Sequence, residues 1–357
     1  PKNYLARAYQ ALPIAITVEG ANILTRSLII FGQGAVRCHP FVLKEMAAAK
    51  EPDFERALRA FDRHLFGHIG FAVSNAARAF VLAMTHARVT PTPVPGPTAR
   101  YYQHINRYSA AFAFAADVAM LTLGGGLKRK EQLSARLGDV LSCIYLASMV
   151  LKHYQDQGSP REDLPLVEWA CRSLLYHAQE QLHGLLRNLP NRLAAAVLRT
   201  FIFPRGRTYF APADDLGQQI VELVTYPTKA RNRLCRQTYV APDPGNAMGQ
   251  LHAAMVETVA ASPLQDKLRS ARRAGLLDTE HPVEQIEAAE RAGVLTAAEA
   301  AQLLALDAQV MEIIGVDAFD TRELGIRAGK RAKRARSKRT AARTRKPATE
   351  PDTPTPS

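Results

Sequence analysis

Apolar residues recur every three or four positions in one block after another from Phe54 onward, and prolines or glycines separate the blocks. That period places them on one face of an α-helix. A half-buried strand would need strict alternation, and no alternating run occurs. Phe54, Leu58, Phe61, Leu65, Ile69 and Val73 make a face that is apolar over five turns. Prolines at 91, 93, 95 and 97 cannot continue a helix and mark a linker or rigid loop. A second helical block runs from about Arg100 to Leu123 and breaks at Gly124-Gly125-Gly126. Leu133, Leu137, Val140, Leu141, Ile144 and Leu151 define a third, from Glu131 to Tyr154. Leu164 to Leu186 is a fourth, and Leu193 to Phe203 a short fifth that stops at Pro204. Asp214 to Thr225, Thr228 to Tyr239 and Asn246 to Ala260 follow. Thr296 to Ile314 is the last clear block, with Thr296 and Glu299 spaced as a capping box. The expected fold is all-α, without a sheet and without a fixed-period repeat.

With 357 residues, 47% of them hydrophobic, the chain can bury the core of one large or two modest domains. The weakly polar run from Ala110 to Leu127 is interrupted by Asp117, which favours a buried helix over a membrane span. Cys38, Cys143, Cys171 and Cys235 are far apart and form no Cys-x-x-Cys pair. That argues against a zinc site or disulfide framework and fits a reducing cytoplasm. The net charge of +13 is concentrated: eleven Lys or Arg and no acid lie between Arg327 and Lys346, so residues 327–357 carry about +9. This tail lacks apolar periodicity and is expected to be disordered. No aromatic residue follows Phe319, which removes base stacking and with it sequence-specific RNA recognition. Its cations suit either contact with an anionic membrane surface or simple solubility.

A different signal lies near the start. Val18-Glu19-Gly20-Ala21-Asn22 joins the apolar run Ile14–Val18 to the helix-like run Ile23–Phe31. Asn22 is read as the N-cap of that second run. Glu19, just ahead of the cap, would meet a positive helix dipole and an apolar wall, opposed influences that tune a carboxylate as a general base. On residue types alone it reads more readily as one more helix-start acid on the surface.

The longer string Ala15-Ile16-Thr17-Val18-Glu19-Gly20-Ala21-Asn22-Ile23-Leu24-Thr25-Arg26-Ser27 resembles the catalytic turn of acyl-CoA dehydrogenases, and most closely the large bacterial FadE-type enzymes. Ile30-Phe31-Gly32-Gln33-Gly34-Ala35-Val36-Arg37-Cys38-His39-Pro40 resembles the same family, and the likeness spans Tyr4 to Met46. The tract from Gly126 to Ser142 resembles the C-terminal extension of FadE-type enzymes, within a similar region from about Asp53 to Leu324. The resemblance implies a flavin-dependent oxidation of acyl-CoA to trans-2-enoyl-CoA in fatty acid β-oxidation. It makes Glu19 the acceptor of the α-proton, Gly20 a substrate contact, and Ala21, Asn22 and Ile23 contacts to FAD. It implies further an electron acceptor for the reduced flavin, a homo-oligomer, and a cytoplasmic location, with the basic tail able to reach the inner face of the membrane. Ala21 stands where the family usually has Thr, which removes a hydroxyl.

Only eighteen residues precede Glu19, whereas relatives place most of the catalytic region before the base. The expectation is therefore a C-terminal piece, inactive alone. Residues 1–50 would end the catalytic helical domain, 51–326 would form the helical extension, and 327–357 the tail. The first fifty residues should expose an apolar face. The alternative is a non-enzymatic helical interaction domain whose cationic tail binds anionic membrane or nucleic acid.

Other candidates weigh less. His64 and His68 have the i, i+4 spacing of zinc ligands but no adjacent Glu and no third ligand nearby in sequence. Glu180 and His183 form one Glu-x-x-His, where a di-iron bundle needs two. No metal is expected. Gly124-Gly125-Gly126 ahead of Lys128, Arg129 and Lys130 reads as a glycine turn before a solvated helix start, with a phosphate cradle the sharper reading. Trp169 reads as a core anchor.

Overall fold

The structure is a computed structural model that describes residues 4–25 and 33–316, apart from 242, 244 and 280, together with 319. The tail from 327 lies outside the described residues. Among these residues every regular element is helical. In chain order they are α1 (Tyr4–Leu24), α2 (Gly34–Arg37), α3 (Val42–Ala48), α4 (Phe54–Met84) and α5 (Ala99–Leu123). A 3-10 turn (Gly124–Arg129) leads to α6 (Glu131–Asp156), α7 (Leu164–Asn188) and α8 (Arg192–Ile202). After these come α9 (Asp214–Thr225), α10 (Lys229–Leu234), α11 (Ala247–Ala260), α12 (Ser262–Arg273), α13 (Pro282–Arg291) and α14 (Ala297–Ile314). The all-α expectation holds.

Two apolar cores organise the chain. The larger is built around α5, whose Tyr108, Ala111, Phe114, Ala115 and Ala119 are buried against Leu137, Val140 and Leu151 of α6 and Cys171, Leu175 and Leu182 of α7. Alanines along α5 let neighbouring backbones approach closely, so a helix of modest side-chain volume sits at the centre. The smaller core joins Ala261, Ala271, Leu277, Ile286, Ala289, Leu295, Leu303 and Leu306, from α12 to α14. Its last helix opens as predicted: Thr296 Oγ1 accepts the Glu299 amide and the Glu299 carboxylate accepts the Thr296 amide.

Between the cores, the segment after α8 is held by side chains. The buried Gln179 accepts the Thr208 and Tyr209 amides through Oε1 (2.8 and 3.0 Å) and donates to the Tyr209 carbonyl (3.0 Å). One amide side chain thus supplies the pairing a strand would have given. Arg107, also buried, donates to Thr208 Oγ1 (3.1 Å) and lies over the rings of Tyr108 and Tyr209.

Four sequence expectations change. The apolar stripe of α4 is not its buried face, since Phe54, Leu58, Ile69 and Val73 are exposed and the buried positions are Asn75, Ala79, Leu82 and Ala83. Trp169 is 46% exposed rather than a core anchor. The buried row of α7 runs Val167, Cys171, Leu175, Ala178, Leu182, and a residue two positions after Val167 points about 200° away from it. The Thr228–Tyr239 block shortens to α10. Ser262–Arg273 and Pro282–Arg291 form two helices, α12 and α13, that apolar periodicity did not reveal. By length and composition, α4, the run Ala99–Arg129 and α6 are each long and apolar enough to cross a membrane. The run containing Ala110–Leu127 nevertheless buries its core face against α6 and α7, as the lone Asp117 suggested.

Candidate functional site

Glu19, Gly20, Ala21, Asn22 and Ile23 all lie within α1. The helix runs through them without a break, so Asn22 is not an N-cap and Val18–Asn22 is not a turn. Helix propagation along an apolar segment outweighs the local signals of one Gly and one Asn. The side chains of residues 19–23 lie outside what the structure describes. On either side of them, Tyr9, Leu12, Ile14, Ile16, Val18 and Leu24 are exposed, and none of the described side chains of α1 joins either core. The expected exposed apolar face of the first fifty residues is present on α1.

A second constellation was not anticipated. It assembles His39 from the corner after α2, Glu45 from α3, His68 from α4 and Asp117 from α5. His39 Nδ1 accepts the Phe41 and Val42 amides (3.2 Å each), so the ring serves the start of α3 as a cap. Its Nε2 therefore carries the proton and donates to Asp117 Oδ1 at 2.9 Å. His68 Nδ1 lies 2.9 Å from Glu45 Oε1, and its Nε2 lies 3.8 Å from Asp117 Oδ1. Aromatic rings wall the group: Phe41 stacks on His68 (10° between planes, 6.0 Å), and Phe71 meets His39 edge-on at 5.4 Å. Gly67 makes room for this stack, because a Cβ there would come within 2.5 Å of the Phe41 ring.

Burial dominates the electrostatics. It holds the His39 imidazole below its ordinary pKa and raises the Asp117 carboxyl, each against the opposing attraction of the other. Asp117 Oδ2 is buried without a hydrogen-bond partner.

One potential ligand atom from each of His39, His68 and Asp117 lies within 4.8 Å of the others. The tautomer decides against reading this as a coordination shell. With Nδ1 of His39 accepting two amides, no lone pair is left on Nε2 for a metal. The group is a hydrogen-bonded network linking α3, α4 and α5. His64, paired with His68 by spacing alone, does not belong to it. In the Glu-x-x-His of α7, Glu180 takes Arg207 as its partner (3.1 Å) and His183 packs edge-on against Phe203. The four cysteines are free, and burial pushes the Cys143 thiol up to about 11 and that of Cys171 to about 12, which leaves both unreactive.

Beside the network lies a cavity of about 940 Å³. Its walls come from α2 to α5 and from the turn after α5, and include Leu43, Met46, Leu65, Ile69, Val118 and Leu121. His68 and Asp117 line it as well, as do Gly124, Gly125 and Lys128 of the tract first read as a glycine turn. Lys128, Arg129 and Lys130 are exposed there, as the solvated helix start requires.

Fold and site together define an all-helical module with an unpacked apolar helix at one end and a polar network beside an apolar cavity. Residues 36–319 match the family described as acyl-CoA dehydrogenase, C-terminal, bacterial type, and the chain belongs to that family. No solved structure matches the chain. Membership ties the chain to acyl-CoA dehydrogenase chemistry in general and supports the likeness to the C-terminal part of FadE-type enzymes.

Proposed function

We propose that this chain is part of an FAD-dependent acyl-CoA dehydrogenase of fatty acid β-oxidation, with Glu19 as its proton acceptor. The observation that carries the reading is continuity: the family match over 36–319 follows directly on the Ala15–Ser27 string that resembles the family's catalytic turn. FAD would supply the hydride acceptor for the β-hydrogen. The described part of α1 offers an exposed apolar wall and no enclosed cradle for a flavin ring, so the cofactor in this reading is held between α1 and further protein packed on it. Ala21, Asn22 and Ile23 would contribute the contacts on this side.

The chain's own chemical contribution is the carboxylate. Once α1 is covered, Glu19 would sit in a dry apolar setting, where a carboxylate is a stronger base than in water. It would take the α-proton of the thioester, while Gly20, with no side chain, lets the substrate approach the backbone. Apolar residues left open along α1 (Ile14 at 69% and Ile16 at 79% exposure) favour this arrangement over a free-standing module.

The test is Glu19→Gln in the complete enzyme. Flavin content should be kept and acyl-CoA oxidation should fall by roughly 10²–10⁴-fold, the range for losing a general base. Near-normal turnover would place the base on another residue.

A further inference from the structure

The cavity beside the polar network has walls that suit one kind of ligand. At about 940 Å³ it falls within the roughly 300–1,000 Å³ typical of small-molecule sites, and most of its lining is aliphatic. Two cations stand on it, Arg37 from α2 and Lys128 from the turn after α5. Both are exposed, and neither has an acidic partner among the described residues. The acid in the lining, Asp117, is buried and already bonded to His39. Space is open at the turn: a Cβ on Gly124 or Gly125 would meet no atom within 4 Å, so a head group can come close to the backbone there.

An apolar trough attracts a chain in proportion to the area it covers. Unpaired cations beside it add attraction for an anionic head and repel a cationic one. We propose that this cavity is a binding site for a single-chain amphipathic anion. Its straight apolar tail would lie against Leu43, Met46, Leu65 and Ile69, and its carboxylate or phosphate head would reach Arg37 and Lys128. The site is distinct from Glu19 and does not depend on the assignment of the base. Its walls join α2 and α3 to α4 and α5, so the ligand would sit where residues 33–46 meet the longer helices.

Exposed apolar residues on α1 and α4 will adsorb amphiphiles unspecifically, so the test must separate head-group recognition from stickiness. The 357-residue chain is titrated calorimetrically, below micelle formation, with dodecanoate, dodecyl phosphate, dodecanol and dodecyltrimethylammonium, and separately with inorganic phosphate. One equivalent of dodecanoate or dodecyl phosphate should bind at least about tenfold more tightly than the alcohol or the ammonium compound, one charge contact being worth about 1.4 kcal/mol at that ratio. The tighter of the two anions identifies the head group as carboxylate or phosphate. Inorganic phosphate alone should not saturate a site. The double variant Arg37→Gln/Lys128→Gln should lose the tenfold preference while its dodecanol affinity stays unchanged. Ala72→Trp, which fills the cavity from α4, should abolish binding of both anions at unchanged helical content. Equal binding of all four amphiphiles, saturable binding of inorganic phosphate, or a tenfold anion preference that survives the double variant would overturn the proposal. If Ala72→Trp loses helical content, the double variant decides.

Discussion

Helices α1 and α5 are both long and strongly apolar, yet they meet opposite fates. α5 lies at the centre of the larger core, with Tyr108, Ala115 and Ala119 at 1% exposure or less, whereas α1 leaves Tyr9, Ile14 and Ile16 more than two-thirds exposed. Apolar content is enough to make either segment a helix. Burial needs partner surfaces of matching shape, and within the described residues α5 finds them on α6, α7 and α8 while α1 finds none. In the function proposed above, this open apolar helix is the face that further protein would cover.

The sharpest way to break that contrast is truncation on each helix. Phe114→Ala on α5 should cost about 3–5 kcal/mol in a urea melt. Ile16→Ala on α1 should stay within about 0.5 kcal/mol in the same chain. A large loss at Ile16 would mean that α1 is packed after all. Once α1 is covered in a complete enzyme, the same substitution should become costly.

A second measurement concerns His104, on the buried side of α5. It lies 2.6 Å from the Tyr209 hydroxyl and accepts from Arg100 at 3.4 Å. Burial and the neighbouring arginines lower its pKa to about 3. The folded state therefore binds fewer protons than the unfolded chain below about pH 6.5. The stability held by a neutral His104 is complete above that value and is lost as pH falls toward 3, at up to about 1.4 kcal/mol per pH unit. Melting temperatures between pH 6.5 and 5 should decline less steeply in His104→Gln. His39 and His86 have the same direction of shift and will leave a residual slope. α1 carries no histidine and should contribute nothing to it.

The smallest effect belongs to the second core. Thr296→Ala removes the hydroxyl half of the capping box on α14 and should cost about 1 kcal/mol. A larger loss would show that the cap braces the packing of α13 on α14 as well as the helix end.

Much of the fold was legible because helices announce themselves locally. The breaks at Gly124 and Pro204, the bounds of α9 and the capping box of α14 all follow from residues within a few positions of each other. α12 and α13 were missed because they are short and highly charged, and bury only Ala271, Ile286 and Ala289 between them. The polar network was missed for the opposite reason. His39 and Asp117 are 78 positions apart, and only the packing of the α2–α3 corner on α4 and α5 brings them within 2.9 Å. A signal did exist: one acid inside the alanine-rich run of α5 must find a partner if that run is buried. The i, i+4 spacing of His64 and His68 pointed at the right helix and the wrong pair. Glu19 shows a further limit. Its long string resembles a known turn, yet in this chain the backbone there is helical, as helix propagation along an apolar segment favours.

The division into two cores has a consequence for how the molecule comes apart. Each core is closed by its own side chains, and Arg231 Nη1 to His252 Nδ1 (3.1 Å) is a polar contact joining α10 to α11 across the intervening stretch. Cooperative unfolding requires that losing one part removes the support of the other. Here α12 to α14 can open while α5 to α8 stay shut. Amide protons of Leu303 and Leu306 should then exchange with solvent on a faster clock than those of Leu137 and Leu182, and denaturant should trace two steps rather than one.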